Sequence, residues 1–404
     1  MRPPAVHSLP TETLTDIFRF TSTLPSFWQA AQAPVVQTEL ERIANAPLLV
    51  LSRVCSRWHH IAINNPTFWS NVEINGVLWR TPRTLEKTQN LLCARLQRSG
   101  DVPLSIALVC EDKPLPPRFF SLLAQHSHRW ETVAVICSLE GTDTLVLEGK
   151  LPLLKKLLLN VVVPMTVDFV GTAPRLEGLS VTASLLKSES FSAIIRRKQL
   201  RSFGCVVGPF PCDFQKVVSL LPDLPVAIPV YLTISLPSRI YQPHWIIPLD
   251  LLQPTTAPIS ALSCTAVGEF YSHHVSSVLG QLITSLTLPE LHRVMLGAVR
   301  YPRRMLEWPH TQFLGLCERS DLGRTLKTLC IAEVQITEND LLETLSVLNA
   351  LEFLEVGDAP ANVTERTDSE SDLITDSFLC AMIRGPAQCL SPRRFGRIQI
   401  GTAI

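Results

Sequence analysis

The segment LKTLCIAEVQITENDLLETLSVLNALEFLEV, Leu326 to Val356, carries the pattern that decides the fold. It opens on LKTLCI and closes on LEFLEV, two copies of three apolar positions spaced as LxxLxL. Between them, ITENDLLETLSVL sets Leu341, Leu342, Leu345 and Leu348 on one helical face. Thr337 and Asp340 stand where a capping box places its two members, with Asp in place of the usual Glu or Gln. The segment therefore predicts a strand, a capped helix and a second strand.

The same spacing recurs on both sides. It begins at Trp130 (WETVAV), Leu154 (LKKLLL), Leu176 (LEGLSV), Leu200 (LRSFGC), Ile259 (ISALSC), Leu291 (LHRVML) and Phe395 (FGRIQI). The long gap after Leu200 contains VYLTISL, whose alternating Val230, Leu232, Ile234 and Leu236 predict one more strand. SHHVSSVLGQLI adds a second helical pattern through Val275, Val278, Leu279, Leu282 and Ile283. Upstream, TLEKTQNLLCARLQRSG predicts a helix over Thr84–Gly100 with Gly100 at its C-terminal cap, followed by the strand VPLSIALVC. A unit of this kind cannot cover its own apolar face, whereas neighbouring units can cover one another.

This array resembles a degenerate leucine-rich repeat, whose units run about 20–29 residues. The Asn that normally follows the last Leu of such a unit is missing here, so the turns need another support. An ordinary α/β domain with Leu-rich parallel strands is the alternative.

The N-terminal part has a different grammar. LPTETLTDIF offers Thr11 as a helix cap ahead of Leu14, Ile17 and Phe18. LLVLSRVCSRWHHIAI places Leu51, Val54, Cys55, Trp58, Ile61 and Ala62 at helical spacing, which predicts one helix with these residues on its buried stripe. Asn64, Asn65 and Pro66 stop that helix, and Phe68 with Trp69 forms an aromatic pair before the strand-like Val72 and Ile74. Cys55 lies on the inner stripe and His59 points away from it, which argues against a Cys/His nucleophile pair.

LPTETLTDIF, VCSRWHHIA and NPTFWSNVEI, in that order, resemble the F-box motif in the variant form abundant in fungi. The resemblance covers Leu9 to Ile74, interrupted by a long insertion at about 19–46. It implies an F-box-like helical domain over 1–80 and a leucine-rich-repeat-like array over 81–404 that recognises a protein substrate. By position it implies that Leu9, Pro10, Leu14, Ile17 and Phe18 meet a Skp-type adaptor, and through it a cullin. Leu51, Val54, Cys55, Trp58, Phe68 and Trp69 would form the core of the box. The implied role is the substrate-recognition subunit of an SCF-type cullin-RING ubiquitin ligase, cytoplasmic or nuclear, with no catalysis of its own. An F-box-bearing scaffold that does not promote ubiquitination is the alternative, and a helical cap on the array is a further one.

Composition narrows the rest. In 404 residues, Lys plus Arg equals Asp plus Glu at 36 each, so no net field draws the chain to nucleic acid or a membrane surface. With 46% hydrophobic and 18% charged residues, the chain is too apolar to be disordered. No apolar run reaches the length of a membrane span. The eleven cysteines lack CxxC spacing and read as reduced, mostly buried thiols. No phosphate-binding, hydrolase or zinc-protease motif occurs, so neither a metal nor a cofactor is expected. The histidine pairs His126/His128 and His273/His274 read as helix surface, and the basic spots at Arg196, Arg303 and Arg393 as solvated or partner-facing. ERTDSESD, Glu365 to Asp372, reads as an acidic loop.

Overall fold

A computed structural model describes residues 9–22, 47–75, 82–110, 116–137, 151–161, 173–187, 195, 198–208, 211–235, 253–267, 272–298, 306–358 and 397–402. The bulk of the expected insertion, the acidic loop and the arginines at 196, 303 and 393 lie outside the described residues, as do the side chains of His273 and His274. The chain divides into two compact units, Met1–Leu176 and Glu177–Ile404.

The first unit begins with helices α1 (Thr11–Ser22), α2 (Pro47–Leu51) and α3 (Ser56–Ile63) and a 3-10 turn at Pro66–Trp69. There follow β1 (Asn71–Asn75), α4 (Pro82–Arg98), β2 (Leu104–Cys110), α5 (Pro117–Ala124), β3 (Trp130–Cys137) and β4 (Lys156–Val161). These strands pair in parallel, in the order of the chain. α4 ends as expected, with Gly100 at a φ of 50° just beyond it. β1 follows the helical segment directly and is also the first strand of the ladder.

The second unit contains β5 (Gly178–Thr182), β6 (Ser202–Val207), α6 (Pro211–Leu220), β7 (Ile228–Ser235), β8 (Ile259–Val267), α7 (Ser272–Ser285) and β9 (Arg293–Ala298). It continues with α8 (His310–Arg319), α9 (Leu322–Thr325), β10 (Thr328–Ala332), α10 (Glu338–Val347), β11 (Phe353–Asp358) and β12 (Arg397–Thr402). Again every strand pairs in parallel with its successor.

In the LxxLxL copies that begin on Leu, the strand starts two residues after that first position, and its register follows the motif. Leu179, Phe203, Val230, Leu262, Val294, Leu329 and Leu354 are successive register partners, and so are Val181, Cys205, Leu232, Cys264, Leu296, Ile331 and Val356. None of these side chains is more than 5% exposed. Two rows of apolar residues thus run the length of the unit, each side chain covering its neighbours' flanks. Cys205 and Cys264 occupy leucine positions in the second row, which accounts for two of the thiols as packing residues. The first unit repeats the arrangement through Val72, Ile106, Val133 and Leu157.

Other groups support the turns in place of the missing Asn. The amide of the residue after the first leucine reaches back to the preceding copy: Lys155 N–H to the Glu131 carbonyl (2.8 Å), Lys327 N–H to His292 (2.8 Å) and Glu352 N–H to Lys327 (2.9 Å). Side chains at that same position pair by charge, Lys155 with Glu131 at 2.6 Å and Lys327 with Glu352 at 3.1 Å. Arg129, 4% exposed, donates to the Ser99 and Val102 carbonyls beyond the end of α4. Arg319 treats the end of α7 in the same way, donating to the carbonyls of Ile283 and Leu286. Both guanidiniums thereby tie down the backbone at and just beyond a helix end with a rigid set of donors. Thr337 caps α10 through the Asp340 amide (3.1 Å), while the Asp340 carboxylate turns toward His310 at 3.7 Å instead of closing the capping box.

Candidate functional site

The helical segment has a core of its own, built around α1. Leu14 and Phe18 lie one turn apart and are fully buried, packed with Leu48, Ile61, Ala62, Phe68 and Trp69. Leu9, Leu51, Trp58 and Ile63 pack against this core from partly buried positions. The Trp58 ring meets Phe18 at 5.1 Å and 67°, and Phe68 lies 6.2 Å from Phe18 on another side. The Trp69 indole N–H donates to the Ala62 carbonyl (2.9 Å), and Arg98 of α4 stacks 4.5 Å over the Trp69 ring. Arg57 of α3 donates to the Leu9 carbonyl at 2.6 Å, which fixes the entry into α1.

Two expectations need correction. First, residues 51–63 do not form one helix. α2 ends at Leu51, and the Arg53 and Val54 amides close a tight turn onto the Val50 and Leu51 carbonyls. Cys55 is extended, with a φ of −160°, and stands just before the first residue of α3 without a side-chain capping hydrogen bond. The helical spacing therefore runs across a break, which leaves Val54 54% exposed and Cys55 only half buried. A hydrogen bond of 3.1 Å between His59 Nδ1 and the Ser52 carbonyl holds the turn to α3, a structural use for that histidine. Second, Leu14 and Phe18 belong to the interior, because the i, i+4 pair forms the narrow stripe by which α1 packs on α2 and α3.

The remaining expected docking residues divide differently. Pro10 is exposed, Leu9 half buried and Ile17 41% exposed. Phe20, one turn beyond Ile17, is 85% exposed, and Val50 is 47% exposed. The sequence signal for Phe20 was available: it stands three residues after Ile17, on a second apolar stripe beside the Leu14/Phe18 stripe.

Burial pushes the thiols of Cys264, Cys317 and Cys330 up to about 12 and that of Cys137 up to about 11, which keeps them neutral. Among the described residues no group of three or more His, Cys, Asp or Glu side chains is placed to hold a metal ion, and no helix is long and apolar enough to cross a membrane.

A comparison with protein families matches residues 6–75 to an F-box-like model, an interval that closes at the last residue of β1. The chain thus carries an F-box-like domain at its N-terminal end. No curated protein matches the chain at a significant level.

Proposed function

We propose that the chain is a substrate-recognition subunit of an SCF-type cullin-RING ubiquitin ligase, working in the cytoplasm or nucleus. F-box domains bind Skp-type adaptors, and one observation carries the extension to this chain. Of the nine large apolar side chains left exposed among the described residues, four, Ile17, Phe20, Val50 and Val54, fall within this domain of some seventy residues. Exposed apolar groups concentrated on a small domain favour a permanent partner, since such a domain buries little surface by itself.

The strand ladder is the target-binding part in this reading, a leucine-rich-repeat-like array. The unbroken chain order of the parallel strands within each unit supports it, because a doubly wound α/β domain reverses its strand order at a switch point. The work performed is proximity: target and ubiquitin-charged enzyme held in one assembly meet at high effective concentration, and other subunits supply the chemistry.

Affinity purification of the full chain from cells tests this proposal. The adaptor and a cullin are expected together. Capture of the adaptor without any cullin would establish a non-ligase scaffold instead.

A further inference from the structure

Two buried thiols lie side by side in the first unit. Cys110 and Cys137 are register partners, each the last residue of its strand, β2 and β3 respectively. Both are reduced, and they stand 0% and 2% exposed. They end the inward rows Ile106, Leu108, Cys110 and Val133, Val135, Cys137, so their side chains leave the sheet on the same face. Among the described residues no other two cysteines are neighbours in strand register: Leu232 separates Cys205 from Cys264, and Cys330 stands between Met295 and Glu355.

Adjacent strands lie about 4.8 Å apart, and a disulfide joins Cα atoms about 4.4–6.8 Å apart, so register partners are within reach of one another. A disulfide draws its Cβ atoms to about 3.8 Å, which asks the two side chains to close by about 1 Å. The β2–β3 pairing ends at this pair, and the β3–β4 pairing also ends at Cys137. The closure therefore disturbs no paired residue beyond it. The bridge makes a loop of the chain from Cys110 to Cys137, which contains α5.

Burial selects among the chemistries open to such a pair. It pushes the Cys137 thiol up to about 11, because a thiolate there is a charge withdrawn from water. A soft cation such as copper(I), held between two sulfurs, needs both thiols deprotonated and leaves a net negative charge in the interior. A disulfide carries no charge and no donor, so an apolar row accepts it as readily as it accepts two neutral thiols. The position at the strand ends supplies the access, since local opening starts where hydrogen-bonded pairing stops and hydrogen peroxide is little larger than water.

We propose that Cys110 and Cys137 form a site of reversible oxidation, a dithiol that hydrogen peroxide converts into a disulfide clasping the ends of β2 and β3. One sulfur takes an oxygen from the peroxide, giving a sulfenic acid and one water. The second sulfur displaces that hydroxyl, which leaves with the second thiol's proton as another water, so two thiols and one peroxide give one disulfide and two waters. A dithiol reductant reverses the step by exchange. The test uses the full chain, treated briefly with N-ethylmaleimide in the native state to cap exposed Cys93 and Cys212, then with hydrogen peroxide, and mapped by mass spectrometry after digestion without reductant. The peptides holding Cys110 and Cys137 are expected to be recovered joined, at a yield about tenfold above any link of Cys205 to Cys264, and to separate on addition of dithiothreitol. The oxidised chain is expected to melt at a higher temperature than the reduced one, with that shift absent from Cys137→Ala. Should Cys137→Ala fail to fold, Cys110→Ala is read in its place, and the map of the unaltered chain decides by itself if neither folds. Recovery of the two cysteines as thiols or as sulfinic acids, a bridge to any other cysteine, an equal yield of the Cys205–Cys264 link, or an unchanged melting temperature in the joined chain overturns the proposal.

Discussion

Phe18 and Trp58 meet edge to face at 5.1 Å, and this contact joins α1 to α3. Phe18 is fully buried, so its truncation leaves a cavity among Leu48, Phe68 and Trp69. Phe18→Ala is expected to cost about 3–5 kcal/mol. Trp58→Phe is expected to cost less than about 1.5 kcal/mol, because the ring contact persists and the indole N–H that is lost has no hydrogen-bond partner among the described residues. Denaturant melts of the two variants check this, and equal losses would contradict it.

Ile17 and Phe20 lie one turn apart on the outside of α1. Replacing both with Asp is expected to lower adaptor affinity at least tenfold while shifting stability by no more than about 1 kcal/mol. Calorimetric titration with the adaptor, beside a thermal melt, reads both quantities. Retained affinity would move the docking surface away from α1.

Gly204 and Ser180 occupy opposed positions on β6 and β5. Gly204→Ala forces its new methyl against the Ser180 side chain and is expected to destabilise the chain by about 1–3 kcal/mol. Ser180→Gly removes both crowding atoms, so the double variant is expected to recover most of that loss. Purely additive effects of the two substitutions would argue against the contact.

Cys264, Cys317 and Cys330 titrate near 12 in the fold against about 8.5 for a free thiol. A raised folded value holds the proton, so the contribution to stability is whole below about pH 8.5 and is lost as pH climbs toward about 12. Iodoacetamide at pH 8 is accordingly expected to label exposed Cys93 and Cys212 in the native chain, and the three buried thiols only after denaturation. Peptide mapping by mass spectrometry reads the pattern. Native labelling of Cys264 would contradict its position in the leucine row.

Much of the ladder was legible because LxxLxL states both where a strand starts and which side chains face inward. The two rows through Leu262 and Cys264 follow from that spacing alone, and the helix between β10 and β11 from its cap and apolar stripe. The break at Ser52–Cys55 was not legible, because helical periodicity survives a short turn that preserves the phase of the next helix. Nor was the sorting of α1: Leu14, Ile17 and Phe18 are equally apolar in sequence, and only the positions of α2 and α3 decide which of them go inside.

The role of β1 limits how this chain can be rebuilt. The F-box-like match ends on the same strand whose far edge hydrogen-bonds to β2, so the F-box-like domain is not a bead joined by a free linker. A fragment cut after Asn75 would expose a row of bare amides and carbonyls, an invitation to mispair with a second copy. Grafting the module onto a foreign scaffold would need β2 carried along, or a host strand offered in its place.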